Sequence, residues 1–135
     1  MGEQHLLTLV LLFLAHLIGD WSALTPFDKE IVDAKTNGEK RNFWLGIHSL
    51  IMATYKIIAI LLSHTIIPIN GGFVVILVIF FFVEFFSHFI LDLLKCIINE
   101  KFQLNPNIKF YWTAIGIDQF VHAIIMFIVC YYLYS

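Results

Sequence analysis

Charged side chains are scarce in this chain, because Asp, Glu, Lys and Arg together make up only 13% of its 135 residues. A soluble domain of this length would carry about twice that share of charge. Hydrophobic residues instead account for 60% of the chain, and the mean hydropathy is +0.86. The balance excludes an ordinary soluble domain and predicts one membrane-embedded domain whose main partner is the lipid bilayer.

Basic clusters and cysteine motifs are also missing. No run of Lys and Arg with interleaved aromatics is present in the sequence, which excludes nucleic acid as a partner. Cys96 and Cys130 are expected at opposite membrane faces, so a disulfide between them is implausible, and neither belongs to a zinc motif. The apolar stretch from Leu6 to Ala15 lacks a basic leading segment and a suitable cleavage site, so we expect a retained helix there and not a signal peptide.

Long apolar runs predict an all-α integral membrane protein with four transmembrane helices in a single domain, residues 1–135. The predicted helices cover about residues 4–24, 43–67, 73–98 and 111–134. Pro68 and the sequence Asn70-Gly71-Gly72 indicate a tight turn between the second and third helices. In the polar segment 25–42, Thr25-Pro26 and Asn37-Gly38 favour a short helix on the membrane surface, and a plain solvated loop is the alternative.

The distribution of basic residues predicts the orientation of the chain. Of the eight Lys and Arg residues, seven lie in or beside the segments 25–42 and 95–109. By the positive-inside rule the loops 25–42 and 99–110 are cytoplasmic, and both termini lie on the outer side.

Four ionisable residues share one stripe of the third predicted helix. Glu84, His88, Asp92 and Lys95 are spaced at i, i+4, i+8 and i+11, which places them on the same helix face. A charged side chain in the middle of a membrane costs roughly 2.5–3.5 kcal/mol, so such residues normally face the bundle interior and mark a functional site or path.

The other predicted helices carry the same residue types at the same depth, within about 5 to 11 residues of the cytoplasmic face. A histidine and an aspartate four residues apart can clamp a divalent cation, and this mixture of ligands suits zinc, manganese or iron. The predicted metal ligands are His16, Asp20, His48, His88, Asp92, Asp118 and His122. Seven ligands exceed what one tetrahedral zinc needs, so the count fits two ions, or one ion with partners that fix the histidine tautomers.

Simpler interpretations exist for each residue alone. A single histidine such as His48 is more often a hydrogen-bond partner between helices than a ligand, and one His-x-x-x-Asp pair fits an internal hydrogen bond equally well. Three such pairs at one depth favour metal or proton chemistry. Lys95 and Glu84 are the predicted catalytic residues, which would stabilise substrate charge or relay a proton, although Lys95 could equally extend to the headgroups. Lys56 and Glu84 are predicted to form an ion pair between the second and third helices.

Four ordered motifs resemble the bacterial and phage membrane family filed as domain of unknown function 3307. The motifs are His16-Leu-Ile-Gly-Asp20-Trp21, His48, His88-Phe-Ile-Leu-Asp92-Leu-Leu-Lys95 and Asp118-Gln119-Phe-Val-His122. The chain is also similar to inner-membrane proteins described as predicted metal-dependent hydrolases. It departs from them after the first aspartate, where Ala23-Leu24-Thr25 stands in place of an expected Leu-Gln. The resemblance implies a multi-pass protein of the bacterial inner (cytoplasmic) membrane, and it implies no established activity.

The leading hypothesis is a metal-dependent hydrolase that acts at the cytoplasmic side of the bilayer on a phosphoester, an amide or a lipid-like substrate, with metal-activated water as the nucleophile. One alternative is a proton or divalent-cation transporter or relay subunit, but the nearly apolar outer half of the predicted bundle gives it no continuous path. The other alternative is a structural or regulatory subunit in which metal locks the helices together. The size suits a monomer and also a homodimer.

Overall fold

The computed structural model of the chain describes residues 3–21, 30–31, 40–66, 73–104 and 107–133. Within these residues four long helices confirm the predicted all-α fold. They are α1 (Glu3–Trp21), α2 (Arg41–Ile66), α3 (Phe73–Lys101) and α4 (Lys109–Leu133). Glu30 and Ile31 are helical and Ile31 is buried, while the rest of the predicted surface helix in 25–42 lies outside the described residues.

The four helices close into a ring. α1 and α3 each pack against both α2 and α4. Neighbouring helices run antiparallel, because residues early in one helix contact residues late in the next. Arg41 pairs with Glu100 and Lys56 pairs with Glu84 between α2 and α3, and contacts between α1 and α4 follow the same order. The architecture is an up-and-down four-helix bundle.

Each helix buries a stripe with mostly four-residue spacing. On α3 the buried residues are Phe80, Glu84, His88, Asp92 and Cys96. On α4 they are Asp118, His122, Met126 and Cys130. Large apolar side chains such as Val74, Phe120 and Tyr132 are at least 66% exposed. Ionisable groups inside and apolar groups outside reverse the pattern of a soluble protein and match a bundle surrounded by lipid.

Three of the helices are long and apolar enough to cross a membrane, counting only the described part of the chain. The candidate spans are Arg41–Ser63, Phe73–Lys101 and Lys109–Leu133, and α1 contributes a shorter apolar stretch, His5–Asp20. The helix α1 is 19 residues long, which corresponds to about 28 Å at 1.5 Å per residue.

The interior has a mainly apolar half, which also contains the buried Thr8 and Ser63, and a polar half. The apolar core consists of Leu12, Ala59, Ile60, Phe80, Met126 and Cys130. The polar half holds the buried histidines and aspartates. Both cysteines are buried and neither forms a disulfide, as the sequence predicts, and Cys130 Sγ donates a hydrogen bond to the backbone oxygen of His5.

Candidate metal centre

One histidine from each helix contributes to a cluster of four buried imidazole rings. The ring centroids are 4.4 Å apart for His88 and His122, and 4.9 Å apart both for His48 with His88 and for His16 with His122. Each of the four residues is at most 3% exposed. The regular spacing on each helix places these rings at one level of the bundle.

Each of the three predicted aspartate ligands has one carboxylate oxygen close to an imidazole nitrogen. His48 Nε2 lies 3.3 Å from Asp20 Oδ1 and 3.5 Å from Asp92 Oδ2. On the other side of the cluster, His122 Nε2 lies 3.5 Å from Asp118 Oδ1. The structure therefore brings all seven predicted ligands into one cluster.

The second oxygen of each aspartate contacts a different kind of group. Lys95 Nζ lies 2.6 Å from Asp92 Oδ1 and 2.7 Å from Asp118 Oδ2. The amide nitrogen of Gln119 donates a 2.7 Å hydrogen bond to Asp20 Oδ2. Lys95 and Gln119 therefore orient the carboxylates so that the opposite oxygens face the histidines.

Among the residues that the structure describes, two groups of side chains have ligand atoms close enough to hold a metal ion. Within each group, one ligand atom per residue lies within 4.8 Å of the others. The first group is Asp20, His48 and His88, and the second is His16, His88 and His122. His88 belongs to both groups, so it occupies the centre of the cluster.

Three distances in and beside the first group approach those of a tetrahedral site. Zinc bonds of about 2.0–2.1 Å place neighbouring ligand atoms about 3.3 Å apart. His48 Nε2 is 3.3 Å from Asp20 Oδ1 and 3.5 Å from Asp92 Oδ2, while His88 Nε2 is 3.7 Å from Asp92 Oδ2. Binding of a cation requires the ligand atoms of this group, which lie within 4.8 Å of one another, to move closer together.

Several imidazole nitrogens of the cluster have no hydrogen-bond partner in the described part of the chain. They include both ring nitrogens of His88, and Nε2 of His48. An unsatisfied buried polar atom typically costs about 1–3 kcal/mol. A neutral imidazole has a lone pair on one of its two nitrogens, and a bound cation would use that lone pair on each ring, so the donor set fits a metal better than it fits a closed hydrogen-bond network.

The family described as "Protein of unknown function (DUF3307)" matches residues 8–135. The chain belongs to this family. No curated protein and no solved structure gives a significant match to the sequence. The DUF3307 description carries no activity, so a function for this member has to come from the geometry of the cluster.

The two residues predicted to be catalytic in this DUF3307 member are both bound to neighbouring charges. Lys95 contacts two aspartates, and 17% of its side chain is exposed. Glu84 Oε2 lies 2.5 Å from Lys56 Nζ, and both of these side chains are fully buried. The predicted ion pair between Lys56 and Glu84 is confirmed, and it places Glu84 one turn from His88, toward the apolar half of the interior.

Gln119 belongs to the cluster, although the sequence pattern predicts no role for it. It stands one position after Asp118 and therefore lies about 100° around the helix from the stripe that faces α3. The helix α4 also packs against α1, and the side chain of Gln119 lies on the face of α4 that contacts α1. There it reaches His16 and Asp20. An amide next to a motif aspartate, on an otherwise apolar helix, is the signal that could have identified it.

Proposed function

We propose that this chain is a membrane protein that binds one divalent metal ion among its buried histidines and aspartates. The observation that supports it best is the pair of ligand groups that share His88, with imidazole nitrogens left unpartnered among the described residues. Four of the seven predicted ligands, Asp20, His48, His88 and Asp92, are proposed to lie at this ion, and a ligand role for His16, Asp118 and His122 stays a prediction.

Charge balance favours one ion over two. Three aspartates and Lys95 leave two negative charges in the buried cluster when the histidines are neutral. Uncompensated charge is costly in a low-dielectric interior, and one divalent cation removes it. The pair formed by Lys56 and Glu84 is neutral by itself and adds nothing to this balance.

The ion is proposed to lie in the group formed by Asp20, His48 and His88, with Asp92 Oδ2 beside it. This group contains carboxylate charge, and three distances in and beside it, 3.3, 3.5 and 3.7 Å, approach those of a tetrahedral site. Two imidazoles with carboxylates at this spacing suit zinc, and manganese or iron would need further ligands.

The chain is further proposed to cross the bacterial inner membrane four times, with both termini outside. Seven of the eight basic residues lie in or beside the segments 25–42 and 95–109, which supports cytoplasmic placement of those loops. The cluster then lies toward the cytoplasmic end of the bundle, and the apolar core lies toward the outer end.

The activity that these features favour is hydrolysis of a phosphoester in a lipid-like substrate that reaches the site from the inner leaflet. A divalent ion in such a site supplies Lewis-acid activation of water or of a phosphoryl group. Lys95 and Gln119 orient the aspartates, and the exposed part of Lys95 gives the substrate a cationic point of approach. The apolar core described above speaks against a transport path through the bundle.

Metal analysis of detergent-purified protein tests the metal centre. Wild type is expected to carry about one equivalent of a transition metal, and Asp20→Asn and His88→Ala are each expected to lose it. His122→Ala should retain the ion if the ion binds in the group formed by Asp20, His48 and His88. His5→Ala is the control for loss of a histidine outside the cluster. A wild-type protein that stays metal-free after loading would contradict the proposal.

The hydrolase activity needs its own test. Metal-loaded wild type should cleave at least one member of a panel of phosphoesters and phospholipids, and Asp20→Asn should not. Full metal occupancy without turnover of any member would reject the hydrolase and leave the metal centre standing.

A further inference from the structure

Gln119 connects two residues of the cluster that lie on a different helix. Its amide oxygen is 3.0 Å from His16 Nε2, and its amide nitrogen is 2.7 Å from Asp20 Oδ2. His16 and Asp20 are four residues apart on α1, and Gln119 reaches both from α4.

The chemistry of the three groups fixes the direction of both hydrogen bonds. An ionised carboxylate can only accept, so the amide NH2 must face Asp20. The amide oxygen is then left to face His16, and because this oxygen can also only accept, His16 Nε2 must carry the proton. The neutral ring then has its lone pair on Nδ1, which is buried without a hydrogen-bond partner among the described residues.

We propose that Gln119 is a positioning residue that holds His16 as the tautomer protonated at Nε2 and leaves Nδ1 as its only basic nitrogen. The same amide holds Asp20 so that Oδ1 faces His48. An amide suits this position because it accepts on one side and donates on the other, which neither a carboxylate nor an apolar side chain can do. Use of His16 Nδ1 by a bound ion or a substrate rests on the proposed function, whereas the tautomer itself does not.

Nitrogen-15 NMR of histidine-labelled, metal-free protein in detergent micelles tests the tautomer directly. The signals of His16 are assigned by their loss in a His16→Asn variant. Nε2 is expected to be protonated and Nδ1 to be unprotonated. A wild-type spectrum with Nδ1 protonated, or with both tautomers equally populated, would overturn the proposal.

Two substitutions separate the two hydrogen bonds of Gln119. Gln119→Glu retains an acceptor for His16 and can donate to Asp20 only when its own carboxyl group is protonated, so Nε2 of His16 should stay protonated. Gln119→Leu removes both bonds, and the His16 signals should shift toward a mixture of tautomers. Retention of the wild-type pattern in folded Gln119→Leu would overturn the proposal, and if that variant does not fold, wild type and Gln119→Glu still decide the question.

Metal affinity gives the second readout. Gln119→Leu should bind zinc about 10- to 100-fold more weakly than wild type, because Asp20 has lost the donor that orients it. Phe120→Leu is the matched control, since its side chain is 66% exposed, and it should change neither the spectrum nor the affinity. If wild type binds no metal, the proposed function fails while the tautomer experiment still stands.

Discussion

Lys56 Nζ lies 2.5 Å from Glu84 Oε2, and neither side chain has any exposed surface. The pair joins α2 to α3 within the bundle interior. A lysine and a glutamate at this depth are tolerated because each neutralises the other. Either one alone would be an uncompensated charge in a low-dielectric interior.

Removal of one partner of this pair should therefore lower the free energy of unfolding more than removal of both partners. Lys56→Met and Glu84→Gln should each lower the free energy of unfolding by roughly 3–5 kcal/mol, because each leaves a polar or charged group buried without its partner. The double variant should lose clearly less free energy of unfolding than the two single variants lose together. Unfolding in mixed detergent micelles, analysed as a double-mutant cycle, measures the coupling, and additive effects would show that the pair contributes nothing.

The ion pair between Arg41 and Glu100 provides a matched control for this cycle. It joins the same two helices at 2.9 Å, but the side chain of Glu100 is 67% exposed. Glu100→Gln makes the same chemical change as Glu84→Gln and should alter the stability by less than about 1 kcal/mol.

The general form of the cluster follows from the sequence, because the 3.6-residue period of a helix fixes which residues share a face. His88 and Asp92 on α3 and Asp118 and His122 on α4 had to face inward together once both runs were helical. The partners within the cluster could not be predicted in this way. That Lys95 bridges aspartates of two helices, and that Gln119 reaches α1, depends on how the helices are rotated and packed, which periodicity does not specify.

Lys95→Met should make the stability of the protein depend more strongly on bound metal. The substitution removes the cation between Asp92 and Asp118, which should lower the free energy of unfolding of the metal-free protein by about 3 kcal/mol. Added zinc should then raise the unfolding temperature more than it does in wild type, because it offsets a larger buried negative charge. Thermal unfolding with chelator and with zinc measures both effects. Lys101→Met, at the exposed end of α3, is the control, and an equal zinc effect in Lys95→Met and wild type would contradict the prediction.

Gly19 allows α1 to lie close to α2 beside the cluster. A methyl group at this position would collide with Met52 Sδ and would approach a Tyr55 ring carbon to 3.2 Å. Met52 is fully buried, so its side chain has to repack within the interior, and Gly19→Ala should destabilise the protein by about 1–3 kcal/mol. Gly46→Ala and Gly116→Ala are matched controls, because a methyl group there meets no atom within 4 Å, and both should be neutral or slightly stabilising. Equal effects at all three glycines in unfolding experiments would reject close packing as the cause.

The number of membrane crossings can be decided at the N-terminus. The helix α1 packs against both α2 and α4 and shares its buried stripe with them, so we expect it to cross the bilayer although its apolar stretch is shorter than theirs. An epitope tag placed before Met1 should then be digested by protease added outside spheroplasts, and a C-terminal alkaline phosphatase fusion should be active. If α1 does not cross, the phosphatase stays active, because α2, α3 and α4 still carry the chain outward, but the tag is protected. An inactive phosphatase would instead reverse the orientation derived from the basic loops and would move the histidine cluster to the outer side of the membrane.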